Sequence, residues 1–310
     1  MTRPHVALVP FGLPVLEEAV ISGGGALSGA AVADALVWTD PFDPHALGRT
    51  LQDSPARWVQ LPFAGIEEFV AAGVIDPDRT WTCTKGVYGH STAEHALCLL
   101  LATARCIPGH ARARTWSSAE DPFSRPETML RDEHVLLVGT GGIGSSLVEM
   151  LRPLGPSITA LNRSGRALAG ARRTVPIAHL PELLPEARFV VLAAALTEDT
   201  RHLIDARALA LMRRDAWLVN VARGGLVDTD ALVRALRDGS IGGAALDVTD
   251  PEPLLDGHPL WELPNALITP HVANTWSMAV PELAAMVARN VRKFAAGETL
   301  EGLVDPELGY

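Results

Sequence analysis

Cysteine is scarce in this sequence, with three residues among 310. An odd number of cysteines cannot all pair, and Cys83, Cys98 and Cys106 lack the close spacing of metal-binding motifs. We therefore expect buried or free thiols in a reducing compartment, rather than a disulfide framework or a metal centre.

Three further absences limit the partners of the chain. No uncharged and predominantly apolar stretch reaches the roughly 18 residues that a membrane span needs. The apolar run near the N-terminus is too short and too broken by proline for a signal peptide. The chain also has fewer positive than negative charges. Its formal net charge is −10, and such a surface repels polyanions. We expect a cytoplasmic protein that binds neither nucleic acid nor membranes.

What the sequence does contain is 48% hydrophobic residues, arranged as short apolar runs between helical or loop stretches such as 44–52. This alternation is typical of a parallel sheet covered by helices, which is an α/β fold. The predicted strands are 6–9, 35–38, 58–61, 134–138, 157–161, 189–192, 217–220, 243–246 and 266–269.

End signals predict three of the helices. Ser91 and Glu94 form an S-x-x-E capping box ahead of an apolar run to residue 104. Asp228 is a suitable N-cap and Gly239 a suitable stop for a helix over about 229–237. A third helix is predicted from 281 to about 296. The polar stretch 108–132, with three prolines, is expected to be an irregular connection.

A glycine-rich turn follows the predicted strand 134–138. Gly139, Gly141 and Gly144 form a G-x-G-x-x-G pattern, and helix-forming residues continue to residue 151. In such a turn the glycines allow a sharp bend, a close approach of pyrophosphate to the backbone, and close packing of helix on sheet. The helix N-terminus then favours an anion. The pattern predicts dinucleotide binding, and the alternative is an ordinary strand-to-helix turn.

Three titratable residues come shortly after predicted strands of the second half: Arg223, Glu252 and His271. Taken singly, each has an ordinary structural explanation, as a solvated arginine, a turn residue between prolines, or a structural histidine. Together they fall at the carboxyl ends of parallel strands, where such sheets build ligand sites. The coincidence favours a catalytic set.

With these motifs the sequence resembles the D-isomer-specific 2-hydroxyacid dehydrogenases, in particular those similar to glyoxylate/hydroxypyruvate reductases. The resemblance covers nearly the whole chain. Its motifs are the glycine turn, Val219–Gly224, Gly243–Val248, Glu252–Leu254, Thr269–His271, Ala64–Ile66, Gly86–Tyr88, Ala93–His95, Val304–Asp305 and Gly309–Tyr310. The departures are Ala195 in place of the family's usual proline, and Cys83-Thr84-Lys85 in place of Asn-x-Pro.

The resemblance implies a Rossmann-type doubly wound parallel sheet inserted into a smaller flavodoxin-like α/β substrate domain. The substrate domain would be discontinuous, comprising 1–101 and 281–310, with the dinucleotide-binding domain at 102–280 and the active site in the cleft. It also implies a homodimer, in which the helix beginning at Ser91 lies in the interface. Because no regulatory domain follows Tyr310, a long-type phosphoglycerate dehydrogenase is not expected.

By the same resemblance, Arg223, Glu252 and His271 match the family's catalytic residues. An arginine fork can bind the carboxylate and the carbonyl oxygen of a 2-oxo acid together. His271 can donate a proton to that oxygen, and Glu252 can orient the ring and favour its protonated form. Related formate dehydrogenases carry an amide in place of this glutamate, so Glu252 favours carbonyl reduction.

Substrate recognition is expected in the loop of Ala64, Gly65 and Ile66, which matches the family's carboxylate-binding loop. Arg223 and His271 would also contact the substrate, and the candidate pocket walls are Tyr88, Trp116 and Trp276. Glu67 and Glu68 beside the loop disfavour a phosphorylated substrate, since like charges repel. The expected substrate is a small 2-oxo acid, with glyoxylate or hydroxypyruvate as the leading candidate.

The cofactor is expected to be NADP(H) in preference to NAD(H). NAD-binding folds place an acidic residue at the end of the second strand, but Asn162 occupies that position here. Arg163 and Arg166, with the Ser164 hydroxyl, lie where a 2′-phosphate would sit, and arginine suits phosphate. The other cofactor contacts implied by the resemblance are Gly139, Gly141, Gly142, Ile143, Gly144, Ala194, Ala195, Leu196, Val221, Ala222, Arg223, Asp247, His271 and Asn274.

A second class of function has to be kept beside the enzyme. Some relatives of this family are dinucleotide-sensing binding proteins without metabolic turnover. The intact catalytic set favours the enzyme. Metal catalysis is disfavoured, since no cluster of His, Cys and Asp has ligand spacing.

Overall fold

The computed structural model describes residues 3–114, 116 and 127–305. The predicted motif Gly309–Tyr310 and residues 115 and 117–126 of the predicted connection lie outside the described residues. The chain divides into two compact units, whose described parts are 3–88 with 275–305, and 89–114, 116 and 127–274. The bounds 1–101, 102–280 and 281–310 that the sequence suggests for folding domains stay a prediction.

The elements alternate along the chain as expected for an α/β protein. The strands are β1 (His5–Val9), β2 (Ala26–Leu27), β3 (Ala35–Trp38), β4 (Trp58–Gln60), β5 (Thr80–Thr82), β6 (His134–Val138), β7 (Ser157–Asn162), β8 (Arg173–Pro176), β9 (Phe189–Leu192), β10 (Trp217–Asn220), β11 (Gly243–Leu246) and β12 (Ala266–Ile268). The α-helices are α1 (Pro14–Ser22), α2 (Pro44–Gln52), α3 (Glu67–Ala71), α4 (Gly89–Ala104), α5 (Ile107–Arg112), α6 (Gly142–Leu151), α7 (Leu180–Leu183), α8 (Ala206–Leu211), α9 (Thr229–Arg237) and α10 (Trp276–Ala296).

The first unit is built on a five-stranded parallel sheet with the order β2-β1-β3-β4-β5. This is the flavodoxin-like order, in which the chain winds first to one side of β1 and then to the other. Every residue of β3 and β4 is buried, because helices cover both faces of a parallel sheet. The predicted flavodoxin-like fold of this part is confirmed.

The C-terminal helix and tail belong to this first unit. Leu283, Val287 and Val291 of α10 share an apolar cluster with Leu16 and Val20 of α1. A buried polar network adds to the packing. The Gln60 Oε1 atom accepts from the Thr82 hydroxyl at 2.8 Å and from the Asn290 amide at 3.2 Å. These contacts explain why residues more than 200 positions apart fold as one unit.

The second unit is built on a seven-stranded parallel sheet with the order β12-β11-β10-β9-β6-β7-β8. Alternate residues of β6 serve separate cores, since Leu136 and Val138 pack in one apolar cluster and Val135 and Leu137 in another. The order reverses at β6, whose neighbours are β7 and β9, and ligands bind at such a switch point. This is the predicted Rossmann-type fold.

The structure corrects several local predictions. Helix α4 begins at Gly89 rather than at Ser91, and the Ser91 hydroxyl donates to the Asn274 side chain at 3.0 Å. Helix α10 begins at Trp276, with Pro281 inside it. The predicted irregular connection contains helix α5. Strands β2, β5 and β8, of two to four residues, were not predicted, because such short runs carry little periodicity.

The predicted cap and stop of α9 agree with the structure. The Asp228 side chain caps α9 by accepting from the Ala231 N–H at 2.9 Å, and Gly239 follows the helix at φ 63°. The three cysteines are free thiols. In the described part of the chain, no helix is both long enough and apolar enough to cross a membrane.

Candidate active site

The glycine-rich turn after β6 has the geometry that a pyrophosphate needs. Gly139 has φ of 105°, and a β-carbon there would lie 2.4 Å from the carbonyl oxygen of Ala193. A β-carbon on Gly144 would lie 2.1 Å from the Gly139 oxygen, so only glycine lets α6 pack this closely. A β-carbon on Gly141 would meet no atom within 4 Å, and no side chain caps α6. The backbone at the start of α6 is therefore open to an anion.

The other predicted cofactor residues lie at the same edge of the sheet as this turn. Because all strands of the second sheet are parallel, the loops that follow them share its carboxyl edge. Asn162 is the last residue of β7, and Arg163, Ser164 and Arg166 follow it; Ala194, Ala195 and Leu196 follow β9; Val221, Ala222 and Arg223 follow β10; Asp247 follows β11; His271 and Asn274 follow β12.

We call residues 162–166, which begin at the last residue of β7, the adenosine loop. The Arg163, Ser164 and Arg166 residues are exposed, whereas Asn162 is half-buried. The Asn162 side chain hydrogen-bonds within the loop and to the glycine turn. The loop therefore exposes two arginines and a hydroxyl, while hydrogen bonds from the half-buried Asn162 side chain fix its backbone.

His271 and Glu252 form a hydrogen-bonded pair through the imidazole Nδ1 and the carboxylate Oε1. The Glu252 hydrogen bond raises the pKa of His271 above its usual value, and the nearby Asp247 charge acts in the same direction. Burial and the positive charge of Arg223 oppose this rise. The imidazolium form therefore persists to a higher pH than in a free histidine.

The backbone of His271 has φ of 51°, in the left-handed region that non-glycine residues rarely adopt. Its N–H donates to the carbonyl oxygen of Asp247 at 2.8 Å. The next two N–H groups, of Val272 and Ala273, each donate to the Asp247 carboxylate at 3.0 Å. Asp247 thus holds the loop that carries His271.

Asp247 is itself buried within a small polar network. The Thr269 hydroxyl donates to Asp247 Oδ1 at 2.6 Å, and His95 Nε2 lies 2.9 Å from the Thr269 hydroxyl oxygen. Since the Thr269 proton is already used, His95 must donate through Nε2. Burial alone would raise the pKa of Asp247, but these hydrogen bonds and those from the backbone N–H groups outweigh it and lower the pKa. Asp247 is an anion at neutral pH.

Arg223 follows β10 in a turn that the buried Asn220 organises. The Asn220 side chain accepts from the Ala222 N–H at 3.1 Å and donates to the Arg223 carbonyl at 2.9 Å. Arg223 is half-buried, and its charge acts on His271. The second unit therefore places Arg223 at the same sheet edge as the hydrogen-bonded pair of His271 and Glu252.

The predicted substrate loop of the first unit follows β4. Within the described residues, the N–H groups of Ala64, Gly65 and Ile66 donate to no protein acceptor, while the Ile66 side chain is buried in the apolar core. The Tyr88 hydroxyl donates to the Pro62 carbonyl at 2.8 Å, and burial raises the pKa of Tyr88 to about 12. Tyr88 therefore supports the loop, and its hydroxyl is already engaged.

Two tryptophans were also candidates for pocket walls. The Trp276 ring packs against the ring of Phe63, which precedes the predicted substrate loop, with a centroid distance of 5.5 Å. Trp116 is fully exposed. Phe63 itself was not predicted, because a single aromatic residue in a loop carries no periodic signal.

Comparison with known proteins identifies the family of this chain. Residues 97–273 match the family model described as "D-isomer specific 2-hydroxyacid dehydrogenase, NAD binding domain". The chain belongs to the D-isomer specific 2-hydroxyacid dehydrogenase family. It is an NAD(P)-dependent dehydrogenase of a family that acts on small 2-oxo and 2-hydroxy acids, as the sequence resemblance predicted.

Individual relatives cover most of this dehydrogenase. A glyoxylate reductase of Thermococcus gammatolerans is 36% identical over 73% of the chain and 70% of the relative. An uncharacterized protein in the proB 3′ region of Corynebacterium melassecola is 38% identical over 94% of the chain and 95% of that protein. A D-isomer specific 2-hydroxyacid dehydrogenase from Xanthobacter autotrophicus Py2, solved in complex with NADPH and MES, is 28% identical with a TM-score of 0.86, and all of both chains is covered.

The site residues that sequence reasoning missed are those that position other site residues. His95 and Thr269 stand in motifs that carry the family resemblance, but no local pattern assigns them to the Asp247 network. Among the residues described, no group of three or more His, Cys, Asp or Glu side chains is arranged to hold a metal ion.

Proposed function

We propose that this dehydrogenase reduces a small 2-oxo acid to the D-2-hydroxy acid, with NADPH as the preferred reductant. Arg223, Glu252 and His271 are the catalytic residues in this proposal, and glyoxylate or hydroxypyruvate is the leading substrate. The observation that carries it is the His271–Glu252 pair, in which the carboxylate raises the pKa of a histidine at the carboxyl edge of the sheet.

His271 acts as the general acid. A donor for carbonyl reduction must be protonated near neutral pH and still able to release its proton, and a histidine with a raised pKa satisfies both conditions. Glu252 binds Nδ1, so Nε2 carries the proton for the carbonyl oxygen. In the reverse direction the same nitrogen accepts the proton from the hydroxyl group.

Arg223 binds the substrate carboxylate and the carbonyl oxygen through its planar guanidinium. As the carbonyl is reduced, negative charge develops on its oxygen, and a fixed positive charge stabilises it. The position of Arg223 supports this role, because Arg223 follows β10 at the sheet edge where His271 follows β12.

The dinucleotide supplies the hydride when bound. The glycine turn and the N-terminus of α6 fit its pyrophosphate, since the backbone at Gly141 is open and α6 has no side-chain cap. Arg163, Ser164 and Arg166 of the adenosine loop would hold the 2′-phosphate of NADP(H). Their exposure and positive charge support this preference, as does the NADPH complex of the Xanthobacter autotrophicus relative.

The substrate carboxylate is also bound by the loop of Ala64, Gly65 and Ile66. Three neighbouring N–H groups without a protein acceptor are suited to an anion. Glu67 and Glu68 in the first turn of α3 disfavour a phosphorylated substrate close by. A small, singly charged oxo acid is consistent with both features.

We also propose that the dehydrogenase is a homodimer through α4. This helix buries Leu99 and Leu100 within the second unit, yet Leu101 on α4 is 40% exposed and Ile107 on α5 is 50% exposed. Apolar side chains on a further face of a helix favour burial against a second copy.

The proposal is tested by assaying the purified protein with glyoxylate, hydroxypyruvate, pyruvate and oxaloacetate, each with NADPH and with NADH. We expect oxo-acid-dependent oxidation of NADPH, fastest with glyoxylate or hydroxypyruvate. The alternative is a dinucleotide-sensing binding protein. A change in cofactor fluorescence on binding, without oxidation by any oxo acid, would favour the sensor and contradict the enzyme.

A further inference from the structure

We propose that Asn162 is a positioning residue: its side-chain amide shapes the adenosine loop for a 2′-phosphate and does not bind the ribose. This inference rests on the proposed preference for NADP(H). It assigns the specificity of the loop to a hydrogen-bond pattern that an amide can make and a carboxylate cannot.

The oxygen of the Asn162 amide accepts two backbone hydrogen bonds from its own loop. Ser164 N–H donates at 3.1 Å and Gly165 N–H at 2.6 Å. Asparagine side chains often stabilise turns in this way, by accepting from the backbone two residues further on. These bonds fix the backbone between Arg163 and Arg166.

The nitrogen of the same amide makes two donor contacts. It donates to the Thr140 hydroxyl oxygen at 3.0 Å and to the Arg166 carbonyl oxygen at 2.8 Å. Thr140 lies between Gly139 and Gly141, so the amide also ties the loop to the glycine turn. A primary amide has two N–H donors and one oxygen with two lone pairs. All four are engaged here, and a ribose hydroxyl would have to displace one of them.

The partners also fix the orientation of the amide and exclude an acid in this loop conformation. A carboxylate at position 162 would place a negative oxygen about where Nδ2 lies, facing the Arg166 carbonyl oxygen. Two acceptors at that distance repel each other, and the N–H···O bond between them is lost. The acid that typically binds the ribose diol in NAD enzymes is therefore incompatible with the loop as it stands.

The side chains that the loop exposes are different from the side chain that fixes its backbone. Asn162 is half-buried, whereas Arg163, Ser164 and Arg166 are exposed. The loop is further supported where Arg166 N–H donates to the Ser164 hydroxyl at 3.3 Å. Substitution of Asn162 should thus weaken phosphate binding without removing any phosphate ligand.

The test measures binding of 2′,5′-ADP and of 5′-ADP by calorimetry to the wild-type protein, Asn162→Asp and Asn162→Ser. The wild type should prefer 2′,5′-ADP by about 10- to 100-fold, the worth of a hydrogen bond to a charged group. Both variants should lose most of that preference, because binding of 2′,5′-ADP weakens by more than binding of 5′-ADP. Asn162→Ser is the matched control for charge, since it removes the donor contacts without adding an acid.

Two results would overturn the inference. If Asn162→Asp gains affinity for 5′-ADP as it loses 2′,5′-ADP, position 162 binds the ribose directly. If Asn162→Ser keeps the wild-type preference, the amide contacts are not needed. Melting temperatures of the unliganded variants identify any global loss of folding. A wild-type protein that binds both nucleotides equally would instead contradict the proposed NADP(H) preference, so the two failures are distinct.

Discussion

Asp247 and His271 are joined through the backbone as well as through charge: the Asp247 carbonyl accepts the His271 N–H at 2.8 Å, and its carboxylate accepts the next two N–H groups. A left-handed non-glycine residue costs about 1–3 kcal/mol. Each hydrogen bond to a charged group contributes about 1.5–3 kcal/mol. The carboxylate of Asp247 can therefore offset the strain at His271 and hold the imidazole in place.

Substitution of Asp247 by asparagine tests this relationship. The NH₂ group of the asparagine side chain cannot accept a hydrogen bond, so one of the backbone N–H groups that now donate to the carboxylate would lose its acceptor. The loop that carries His271 should therefore shift. We expect kcat to fall about 10²-fold, the usual effect of a misplacement near 1 Å. Thr269→Val is the matched control, because it removes one bond to Asp247 and keeps the charge, and its loss should be smaller. Unchanged kcat in Asp247→Asn would show that the carboxylate is not needed.

Replacement of His271 by alanine removes the proposed proton donor. We expect turnover to fall by roughly 10²–10⁴, the usual contribution of a positioned acid, while the dissociation constant for NADPH stays within a few fold. Steady-state rates and cofactor fluorescence measure the two effects. A variant that turns over as fast as the wild type would remove His271 from the mechanism.

Replacement of Glu252 by glutamine should change the pH dependence. The carboxylate raises the pKa of His271, so in the wild type the protonated donor is lost only as pH rises through that raised value. Without it the pKa of His271 falls, and the alkaline limb of kcat/KM for reduction should move to lower pH. For oxidation, which needs neutral His271, the acid limb should move the same way. An unchanged pH profile would contradict the pairing.

Much of the fold follows from local sequence patterns. The glycine spacing after β6 and the apolar runs of β3, β9, β10 and β11 are properties of a few neighbouring residues. The contacts that position the site join distant residues. Gln60 and Asn290 are 230 positions apart, and His95 and Thr269 are 174 apart. Such pairs depend on the completed topology, so no local pattern contains them.

The structure also shows why a partial match to a pattern can mislead. Ser91 and Glu94 have the spacing of a capping box, yet α4 begins two residues earlier, at Gly89. Gly89 lies so near the glycine turn that a β-carbon there would be 2.5 Å from Gly142. Tertiary packing therefore determines this helix start, and Ser91 binds Asn274 instead.

The proposed homodimer predicts that an apolar face of α4 is covered by a second copy. Light scattering at micromolar concentration should give twice the mass of the 33.0 kDa chain. Leu101→Glu should shift the protein toward monomer, because a charge would be buried in the interface. Phe42→Glu is the control, since Phe42 is 84% exposed in the first unit, away from this helix in the chain. A monomeric wild type would refute the dimer.

Cofactor preference is the last prediction, and it depends on the charge of the adenosine loop. Arg163, Ser164 and Arg166 are exposed on a loop that lacks the acid of NAD enzymes. One phosphate contact worth about 1.5–3 kcal/mol corresponds to about 10- to 100-fold in kcat/KM. With one oxo-acid substrate, NADPH should therefore exceed NADH by that factor, and Arg163→Ala should lose most of it while leaving NADH kinetics unchanged. Arg172→Ala is the matched control, because Arg172 is an exposed arginine just before β8 and outside the adenosine loop. Equal efficiency with the two cofactors in the wild type would contradict the preference, and an equal loss in both variants would show that general positive charge, rather than Arg163, attracts the phosphate.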